Sequence, residues 1–399
     1  MKAVPGGVTA AAGFRAAGVS AGIKRSRKPD VALVAADAPV AAAGVFTLNR
    51  IQAAPVQISR RRLRAGMAQA VLINSGCANC LTGAQGMADA LQLSRAVSRA
   101  LGIPDRRVLV ASTGVIGRRL PVPRIARAVP ALVGALSRAR HTDAAAAILT
   151  TDLILKEAAV EAVIGGRWVR VGGMAKGAGM IAPAMATMLS VVTTDAAVAP
   201  GLLRALLRQA TDQTFNRISV DGDMSTNDSV VALASGRSGA AVRPGTGAAR
   251  TFGRMLEAVL AKLAALIVKD GEGATRVMDI RVDGARTDAE AQACARQVAR
   301  SPLVKTMLTG GDPNVGRIAA AVGASPAWFD PARLEILISG HPVVRGGIAL
   351  RVPKMAARGL VARPEVAVRI RLHAGRGQGR LLTCDLTEAY VRINARYTT

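Results

Sequence analysis

Short apolar runs alternate with segments of helical periodicity along most of this chain, and the alternation limits the folds that the chain can adopt. Residues 68–76 (AQAVLINSG) and 106–117 (RRVLVASTGVIG) have the composition of buried strands that end in turns containing glycine. Between them, residues 88–102 carry apolar side chains at helical spacing and end at Gly102. Strands that alternate with helices are typical of proteins in which helices cover a sheet. The sequence therefore predicts an α/β fold.

The remainder of the chain continues this alternation. Residues 123–152 are predicted to be mostly helical, with a break at Pro130, because a proline inside a helix removes a hydrogen-bond donor. Residues 249–284 predict a long helix, a turn and a strand. Residues 332–344 and 365–375 alternate apolar and polar side chains with a period of two, which predicts two further strands.

Length and hydropathy favour a large globular protein. The 399 residues are enough for two domains or for one large α/β unit, and 50% of them are hydrophobic. No stretch approaches the ~20 consecutive apolar residues that a membrane span needs. Residues 1–30 have an interrupted apolar pattern that differs from a secretory signal. We therefore expect a soluble, cytoplasmic protein without a membrane partner.

The net charge of +27, from 53 basic and 26 acidic residues, raises the question of a nucleic-acid partner. Dense basic clusters occur at residues 24–28 (KRSRK) and 60–64 (RRRLR), and the other basic residues are spread along the chain. The few aromatic residues, 2% of the chain, offer little surface on which bases could stack. These observations favour a protein with no nucleic-acid partner, whose positive potential assists the approach of acidic substrates. A basic nucleic-acid-binding protein is the less favoured alternative.

The four cysteines and three histidines offer little metal chemistry. Cys77 and Cys80 form a C-x-x-C pair, a spacing found in redox motifs and in half of a zinc site. The sequence has no second such pair, and His141, His341 and His373 are isolated, so a compact set of zinc ligands is lacking. The sequence predicts no metal site and favours the interpretation of both cysteines as partly buried residues of a turn.

Residues 176–192 (KGAGMIAPAMATMLSVV) combine a loop rich in glycine with a following β-branched run, and they allow three interpretations. Residues 177–182 match the G-x-G-x-x-A pattern of dinucleotide-binding loops, but Pro183 follows at once and no acidic residue stands about twenty positions further on. The second interpretation is an ordinary loop between two strands, with Thr187 selected for its β propensity. The third is a self-processing nucleophile at Thr187.

A self-processing nucleophile at Thr187 would draw its reactivity from its own backbone nitrogen. If the bond after Ala186 is cut, Thr187 gains a free α-amine, and peptide α-amines have a pKa of about 7.7–8.0, suited to taking the hydroxyl proton. The same hydroxyl can make the cut by attacking the carbonyl of Ala186, after which an N-to-O shift gives an ester that water hydrolyses. Small Ala186 and the preceding glycines leave room for a bent backbone. The pattern by itself leaves this interpretation open beside the ordinary loop.

Long motifs spread over nearly the whole chain decide among these interpretations. In chain order they are GFRAAGVSAGIK (13–24), AAGVFTLNR (42–50), NSGCANCLTGAQG (74–86), STGVIGRRLP (112–121), ILTTD (148–152), GGMAKGAGMIAPAMATMLSVVTTDA (172–196), TFNRISVDGDMSTNDSV (214–230), KDGEGATR (269–276), SPLVKT (301–306), DPNVGRI (312–318) and DLTEAYVRINARYTT (385–399). In sequence and order this series resembles the ornithine acetyltransferase family of arginine biosynthesis, also called bifunctional glutamate N-acetyltransferase/amino-acid acetyltransferase.

The resemblance implies a fold and a set of site residues. The fold is α/β, with sheets layered between helices, of the self-cleaving type with an N-terminal threonine nucleophile, related to that of some aminopeptidases. Cleavage would give residues 1–186, which carry the oxyanion site, and residues 187–399, which begin at the nucleophile and include a smaller C-terminal domain from about 280. The residues implied are Ala186 and Thr187 at the cleavage site, Thr187 as nucleophile, Thr113 and Gly114 as oxyanion donors, and Thr150, Lys176, Thr187, Glu272, Asn394 and Thr399 as substrate contacts.

The resemblance also implies a reaction. Thr187 takes the acetyl group from N2-acetylornithine, ornithine leaves, and the α-amine of glutamate then attacks the acetyl-Thr187 ester to give N-acetylglutamate. This ping-pong transfer requires no cofactor and no metal. The small-molecule partners are N-acetylornithine, glutamate and, for some members of the family, acetyl-CoA, while the cleaved chains associate as a heterotetramer of two α and two β chains. A related self-processing aminopeptidase or amidase, with water in place of glutamate, is the alternative.

Cleavage can be tested directly on the purified protein. We expect a denaturing gel and an intact-mass measurement to give two fragments that meet between Ala186 and Thr187, because the threonine hydroxyl is the group that attacks. Thr187→Ala lacks that hydroxyl and should remain a single inactive chain. A wild-type protein that is active as one uncut chain would contradict the self-processing interpretation.

Overall fold

The computed structural model describes residues 1–182 and 188–396, so Ala186, Thr187 and Thr399 lie outside the described residues. The strands are β1 Lys2–Ala3, β2 Phe14–Val19, β3 Val31–Phe46, β4 Met67–Cys77, β5 Val108–Val115, β6 Lys156–Ile164, β7 Arg167–Lys176, β8 Leu189–Thr194, β9 Ala197–Val198, β10 Ile218–Ser219, β11 Ser229–Ala234, β12 Ala241–Val242, β13 Val277–Ala285, β14 Glu335–Ile338, β15 His341–Arg345, β16 Ile348–Ala349, β17 Glu365–Arg371 and β18 Gly377–Cys384. The α-helices are α1 Ala54–Arg62, α2 Gly83–Leu101, α3 Val122–Gly134, α4 His141–Ala147, α5 Pro200–Gln213, α6 Gly247–Lys269, α7 Asp288–Arg300, α8 Pro302–Gly310, α9 Val315–Gly323, α10 Lys354–Val361 and α11 Glu388–Arg396. Among the described residues, none of these helices is long and apolar enough to cross a membrane.

The structure agrees with most of the elements expected from periodicity. The first two expected strands are β4 and β5, the expected helix between them lies within α2, and the later long segment forms α6 and β13. The break expected at Pro130 is wrong, because α3 continues through this residue. Ile125, Val129 and Leu132 bury the apolar face of α3, and this packing outweighs the single donor that the proline removes.

Within the described residues, one mixed sheet contains nine strands in the order β1-β6-β7-β8-β11-β3-β4-β5, with β2 paired to β3. The pairs β8/β11 and β4/β5 are parallel, and the other neighbours are antiparallel. The 16-residue strand β3 joins two halves of this sheet, because its first part pairs with β2 and β4 and its last part pairs with β11. Its pairing with β4 is irregular between Ala35 and Val40, and irregularities of this kind bend strands.

The two halves of this sheet face each other. Strands β5 and β7 are five positions apart in the strand order, so in a flat sheet they would lie about 24 Å apart at the usual strand spacing. The Nζ atom of Lys176, at the end of β7, nevertheless lies 3.3 Å from the Oγ1 atom of Thr113 on β5. The sheet is therefore folded over along β3, and the ends of distant strands meet.

The buried side chains form layers around the folded sheet. An inner core lies between the halves and contains Val34 and Ile73 from one half and Val191 and Leu233 from the other. Helices α1, α2 and α3 cover the outside of the first half, and α5 and α6 cover the outside of the second. The order helix, sheet, sheet, helix is the layered α/β architecture that the family resemblance implied, and that prediction is confirmed.

A second sheet is built largely from the C-terminal part of the chain. Within the described residues its strand order is β10-β18-β13-β17-β14-β15-β16. Its core against α7, α8 and α9 contains buried side chains from Met278 to Leu381, whereas Cys384 packs in the core under α6. The boundary of a smaller C-terminal domain at about residue 280 stays a prediction.

Candidate active site

A pocket lies where the ends of β5 and β7 meet. Its wall contains every predicted site residue that the structure describes, namely Thr113, Gly114, Thr150, Lys176, Glu272 and Asn394. Residues 225–227, from the segment before β11, add polar side chains to the same wall. The folded sheet thus gathers groups that are distant in sequence, while the predicted residues Ala186, Thr187 and Thr399 lie outside the described part of the chain.

Thr113 and Gly114 lie near the end of β5, beside β4. Gly114 has a φ of +125°, a conformation that L side chains rarely adopt. A Cβ atom at this position would lie 2.4 Å from the carbonyl carbon of Gly76, so the close approach of the two strands requires glycine. Thr113 is 5% exposed, and its Oγ1 atom accepts a hydrogen bond from Nζ of Lys176 at 3.3 Å. The hydroxyl proton of Thr113 can therefore be donated to a group in the pocket.

A buried network of two lysines and two aspartates lies behind the pocket wall. The Oδ1 atom of Asp152 accepts hydrogen bonds from Nζ of Lys156 at 2.7 Å and from the N–H of Gly177 at 2.6 Å. The Oδ2 atom of Asp152 lies 3.9 Å from Nζ of Lys176. Nζ of Lys156 also donates to Asp270 at 2.5 Å. Each lysine faces a carboxylate, and this compensation makes the burial of ionic groups tolerable.

Burial and charge oppose each other in this network. Burial lowers the pKa of Lys176 because it disfavours the ammonium, whereas Asp152 raises that pKa and Lys156 lowers it. Burial raises the pKa of Asp152, but the two lysines outweigh burial and hold that pKa below the ordinary aspartate value. Asp152 is therefore ionised at neutral pH, and its charge favours the charged form of Lys176.

Asn394, on the C-terminal helix α11, reaches the pocket and contacts Glu272 there. Nδ2 of Asn394 donates to Oε2 of Glu272 at 2.8 Å, and the N–H of Glu272 donates to the carbonyl of Ala178 at 2.8 Å. A Cβ atom on Gly179 would lie 2.5 Å from a carboxylate oxygen of Glu272, so this carboxylate fills the space beside the glycine. A carboxylate in this position can accept hydrogen bonds from a substrate ammonium.

Asp221 anchors the segment that leads toward the predicted cleavage site. Its Oδ2 atom accepts the N–H of Met180 at 2.6 Å, and its Oδ1 atom accepts that of Ile181 at 2.8 Å. The hydroxyl of Tyr390 on α11 donates to the same carboxylate at 3.3 Å. Burial raises the pKa of Asp221, although the backbone N–H groups lower it. One carboxylate therefore links this segment to the C-terminal helix.

A second carboxylate, that of Asp228, anchors the chain directly after the predicted nucleophile. Its Oδ1 atom accepts the N–H of Met188 at 3.0 Å. Asp228 is 0% exposed, and its Oδ2 atom has no hydrogen-bond partner among the described residues. Burial raises its pKa well above the ordinary value, although the N–H of Met188 and the charge of Lys176 lower it. Burial therefore favours the protonated, neutral form of Asp228.

The sequence analysis did not predict three residues that shape the site, namely Asp152, Asn227 and Asp228. Asn227 donates from Nδ2 to the carbonyls of Ala78 and Ser112 at 2.7 Å each, and so ties the chain before β11 to the ends of β4 and β5. The available signal was their position inside the fifth and seventh motifs quoted above. Polar residues in segments that follow or precede buried strands are frequent components of functional sites.

The C-x-x-C cysteines are more buried than the sequence suggested, because Cys77 and Cys80 are each 1% exposed. Cys77 packs in the core under α1, α2 and α3, whereas Cys80 packs in the inner core. Their thiols thus belong to different layers, and both are free. Within the described ranges, no three His, Cys, Asp or Glu side chains are grouped as metal ligands.

Asp228 should make stability depend on pH. Its folded-state pKa lies above the ordinary value, so the folded protein binds an extra proton and loses stability as pH rises from that value toward the folded pKa. Asp228→Asn removes this titration and keeps a neutral side chain of similar size. We expect the variant to be at least as stable as its parent at neutral pH, with the advantage fading toward acidic pH.

The measurement is the free energy of unfolding in urea at several pH values, in a Thr187→Ala background so that a single chain unfolds. A variant that is markedly less stable than its parent at neutral pH, by a difference that shrinks toward acidic pH, would contradict this expectation, because that pattern is the one an ionised Asp228 would give.

Comparison with known sequences gives consistent matches over the whole chain. The sequence model of the ArgJ family matches residues 15–399. The "Arginine biosynthesis bifunctional protein ArgJ" of Thermosynechococcus vestitus is 47% identical over 414 aligned residues, which cover 99% of each chain. The protein of the same name from Nitratidesulfovibrio vulgaris is 50% identical over 388 residues, which cover 96% of this chain and 98% of that one.

A crystal structure provides a further comparison. The arginine biosynthesis bifunctional protein argJ from Bacillus halodurans is 39% identical to this chain, with a TM-score of 0.50. The match covers 51% of this chain and 97% of that chain. Because the family match extends over nearly all of the sequence and full-length relatives are almost half identical, the chain belongs to the ArgJ family.

Proposed function

We propose that this member of the ArgJ family transfers the acetyl group of N2-acetylornithine to glutamate through an acetyl ester of Thr187, in the cytoplasm. The products are ornithine and N-acetylglutamate. Family membership makes the protein an acyltransferase of arginine biosynthesis. The observation that supports the detailed reaction is the pocket, in which the candidate oxyanion donors, a lysine and a carboxylate lie together.

Two observations support cleavage between Ala186 and Thr187. The solved chain from Bacillus halodurans aligns over 97% of its own length with 51% of this chain, which is close to the share that one cleavage product would have. In the strand order β7-β8-β11-β3, the outer strands β7 and β3 come from residues 1–186, and the inner strands β8 and β11 come from residues 187–399. Both products would therefore stay in one hydrogen-bonded sheet. Two copies of each product would form the heterotetramer that the resemblance implies.

In the first half-reaction, the hydroxyl of Thr187 attacks the acetyl carbonyl carbon of N2-acetylornithine. Its proton passes to the free α-amine of Thr187, since an ordinary α-amine pKa of about 7.7–8.0 suits a base near neutral pH. Negative charge develops on the carbonyl oxygen, and the hydroxyl of Thr113 and the N–H of Gly114 donate to it. When the C–N bond breaks, the leaving nitrogen of ornithine takes the proton, and the acetyl group remains on Thr187.

In the second half-reaction, glutamate replaces ornithine in the pocket. Its α-amine attacks the ester carbonyl and gives a proton to the α-amine of Thr187. The oxyanion forms in the same place, so the same donors stabilise it. When the C–O bond breaks, the Thr187 oxygen takes a proton and the enzyme returns to its starting state.

Charged groups of the pocket would orient the substrates. Lys176 supplies a cation for the α-carboxylate that N-acetylornithine and glutamate share. Glu272, which accepts a hydrogen bond from Asn394 at 2.8 Å, supplies a carboxylate for the side-chain ammonium of ornithine. A donor that carries both a carboxylate and an ammonium matches this pair of charges.

Product analysis tests the proposed reaction. With N-acetylornithine and glutamate together, the cleaved protein should form ornithine and N-acetylglutamate in equal amounts, because each acetyl group is transferred once. With N-acetylornithine alone, ornithine release should stop at about one equivalent per Thr187, because the ester lacks an acceptor. Mass spectrometry of the 187–399 fragment should then show one added acetyl group.

Two further results of that experiment discriminate among functions. Acetate release that continues without glutamate would indicate the amidase alternative, in which water is the acceptor. Acetyl-CoA offered in place of N-acetylornithine shows whether this chain accepts it as a donor. Failure to form N-acetylglutamate from N-acetylornithine contradicts the proposed function.

Thr113→Val tests the oxyanion donor, since valine keeps the shape of threonine and lacks its hydroxyl. We expect kcat to fall by roughly 10²–10³, with a smaller change in KM, because the hydroxyl acts on charge that develops in the transition state. Thr211→Val is the matched control, because Thr211 is 0% exposed and its hydroxyl has no hydrogen-bond partner among the described residues. A Thr113→Val enzyme as fast as this control would remove Thr113 from the proposed oxyanion site.

A further inference from the structure

The carboxylate of Asp152 contacts several parts of the pocket wall from behind. Its Oδ2 atom accepts the N–H of Thr150 at 2.9 Å, and its Oδ1 atom accepts the N–H of Gly177 at 2.6 Å. Lys176 lies 3.9 Å from the same side chain, which is 0% exposed. A buried carboxylate with these partners fixes the backbone on both sides of the pocket and the position of its lysine.

Asp152 also exerts the strongest favourable charge on Lys176. Lys176 is 3% exposed, and burial favours its neutral amine. Among the charged groups that act on it, Asp152 favours the ammonium most, Lys156 disfavours it, and Glu272 favours it less strongly. Asp228 would favour it only in its ionised form, which burial opposes. The charge of Lys176 therefore depends mainly on one buried aspartate.

Two other lysines near Asp152 increase the dependence of the Lys176 charge on this carboxylate. Lys156 lies between Asp152 at 2.7 Å and Asp270 at 2.5 Å. Lys24 also faces the cluster, and burial, with a further contribution from Lys176, lowers the pKa of Lys24 to about 8. Loss of the charge on Asp152 would leave Asp270 beside Lys156 and Asp30 near Lys24, but no aspartate charge of similar strength for Lys176. Release of a proton from Lys176 would then relieve the excess positive charge.

We propose that Asp152 is a positioning residue that holds the ammonium of Lys176 charged and in place, so that Lys176 binds the substrate carboxylate. This inference rests on the proposed acetyl transfer, in which Lys176 has that role. Asp152 acts on the substrate through Lys176 and through the backbone of Thr150 and Gly177. The pocket retains its cation only while Asp152 is ionised.

Asp152→Asn keeps the size of the side chain and removes its charge. At neutral pH we expect the KM for N-acetylornithine to rise about tenfold or more, with a smaller loss in kcat, because the weakened contact is to the substrate carboxylate. Lys176 is charged below its pKa, so carboxylate binding is lost as pH rises. The high-pH limb of kcat/KM should therefore move to lower pH in the variant, and acidification should partly restore binding.

Asp195→Asn is the matched control. Asp195 is 5% exposed and accepts the N–H groups of Ala12 at 3.2 Å and Arg170 at 2.8 Å, toward the other end of β7 and β8. The substitution changes a buried carboxylate without touching the pocket, so the pH dependence of kcat/KM should stay in place. A shift of equal size in both variants would overturn the proposal.

Lysine NMR measures the same effect without enzymatic activity. The chain is poor in lysine, so protein labelled with carbon-13 at lysine Cε gives few signals, and Lys176→Arg identifies the signal of Lys176. Asp152→Asn should move the titration of that signal to lower pH. Lys156→Met removes a positive neighbour and should move it to higher pH, so a second variant gives a shift of opposite sign.

The outcomes distinguish this inference from the proposed function. An unchanged Lys176 titration in Asp152→Asn, together with an unchanged pH profile, would overturn the inference even in an active acetyltransferase. A wild-type protein that forms no N-acetylglutamate would overturn the proposed function and with it the role of Lys176 toward a substrate. The lysine titrations would still show whether Asp152 controls the charge of Lys176.

Discussion

Lys176 and Thr113 come within 3.3 Å of each other because strand β3 pairs with different neighbours along its length. One part of β3 belongs to the half of the sheet that carries Thr113, and the other part to the half that carries Lys176. Burial of apolar side chains between the halves favours the folded-over arrangement, and Asn227 ties the halves at the pocket with two hydrogen bonds. A change that loosened the inner core would separate the cation from the oxyanion donors before it altered either group.

Buried and partly buried carboxylates have a common structural role in this basic protein. Asp221 and Asp228 accept backbone N–H groups on the two sides of the proposed cleavage site, and Asp385 accepts those of Thr275 and Arg276 beside the Glu272 loop. A buried carboxylate needs such donors, because burial without them is costly. Behind the pocket, two lysines face two aspartates, so the large positive charge of the chain does not extend to this network. We propose that the excess charge assists the approach of acidic substrates from solution.

Local periodicity predicted those parts of the fold that depend on local packing. The buried runs of β4 and β5 and the amphipathic pattern of α6 were readable, since one face of each meets the core. Pro130 misled the prediction because packing of α3 overrode a backbone preference. The fold-over of the sheet was not readable, because it depends on which strands β3 pairs with along its length, and strand pairing is not encoded in any short segment.

Like the fold, the candidate site contains features that the sequence pattern alone could not reveal. Lys176 and Glu272 look like solvated charges in the sequence, and resemblance to a family, rather than pattern, singled them out. Asp152 was not singled out, because its burial depends on lysines placed beside it by β6 and β7. Buried charge is a property of tertiary structure, so sequence periodicity carries little information about it.

The hydrogen bonds that hold the backbone of Met180, Ile181 and Met188 have a consequence for the maturation of the protein. They are made by Asp221 and Asp228, which lie 40 to 41 residues further along the chain and reach these partners only when the intervening segment has folded. Under the proposed self-cleavage, an incomplete or misassembled polypeptide would lack this support and would persist as an inert precursor. Every catalytically competent copy would therefore have passed through the native state, and maturation would serve as a built-in check on assembly.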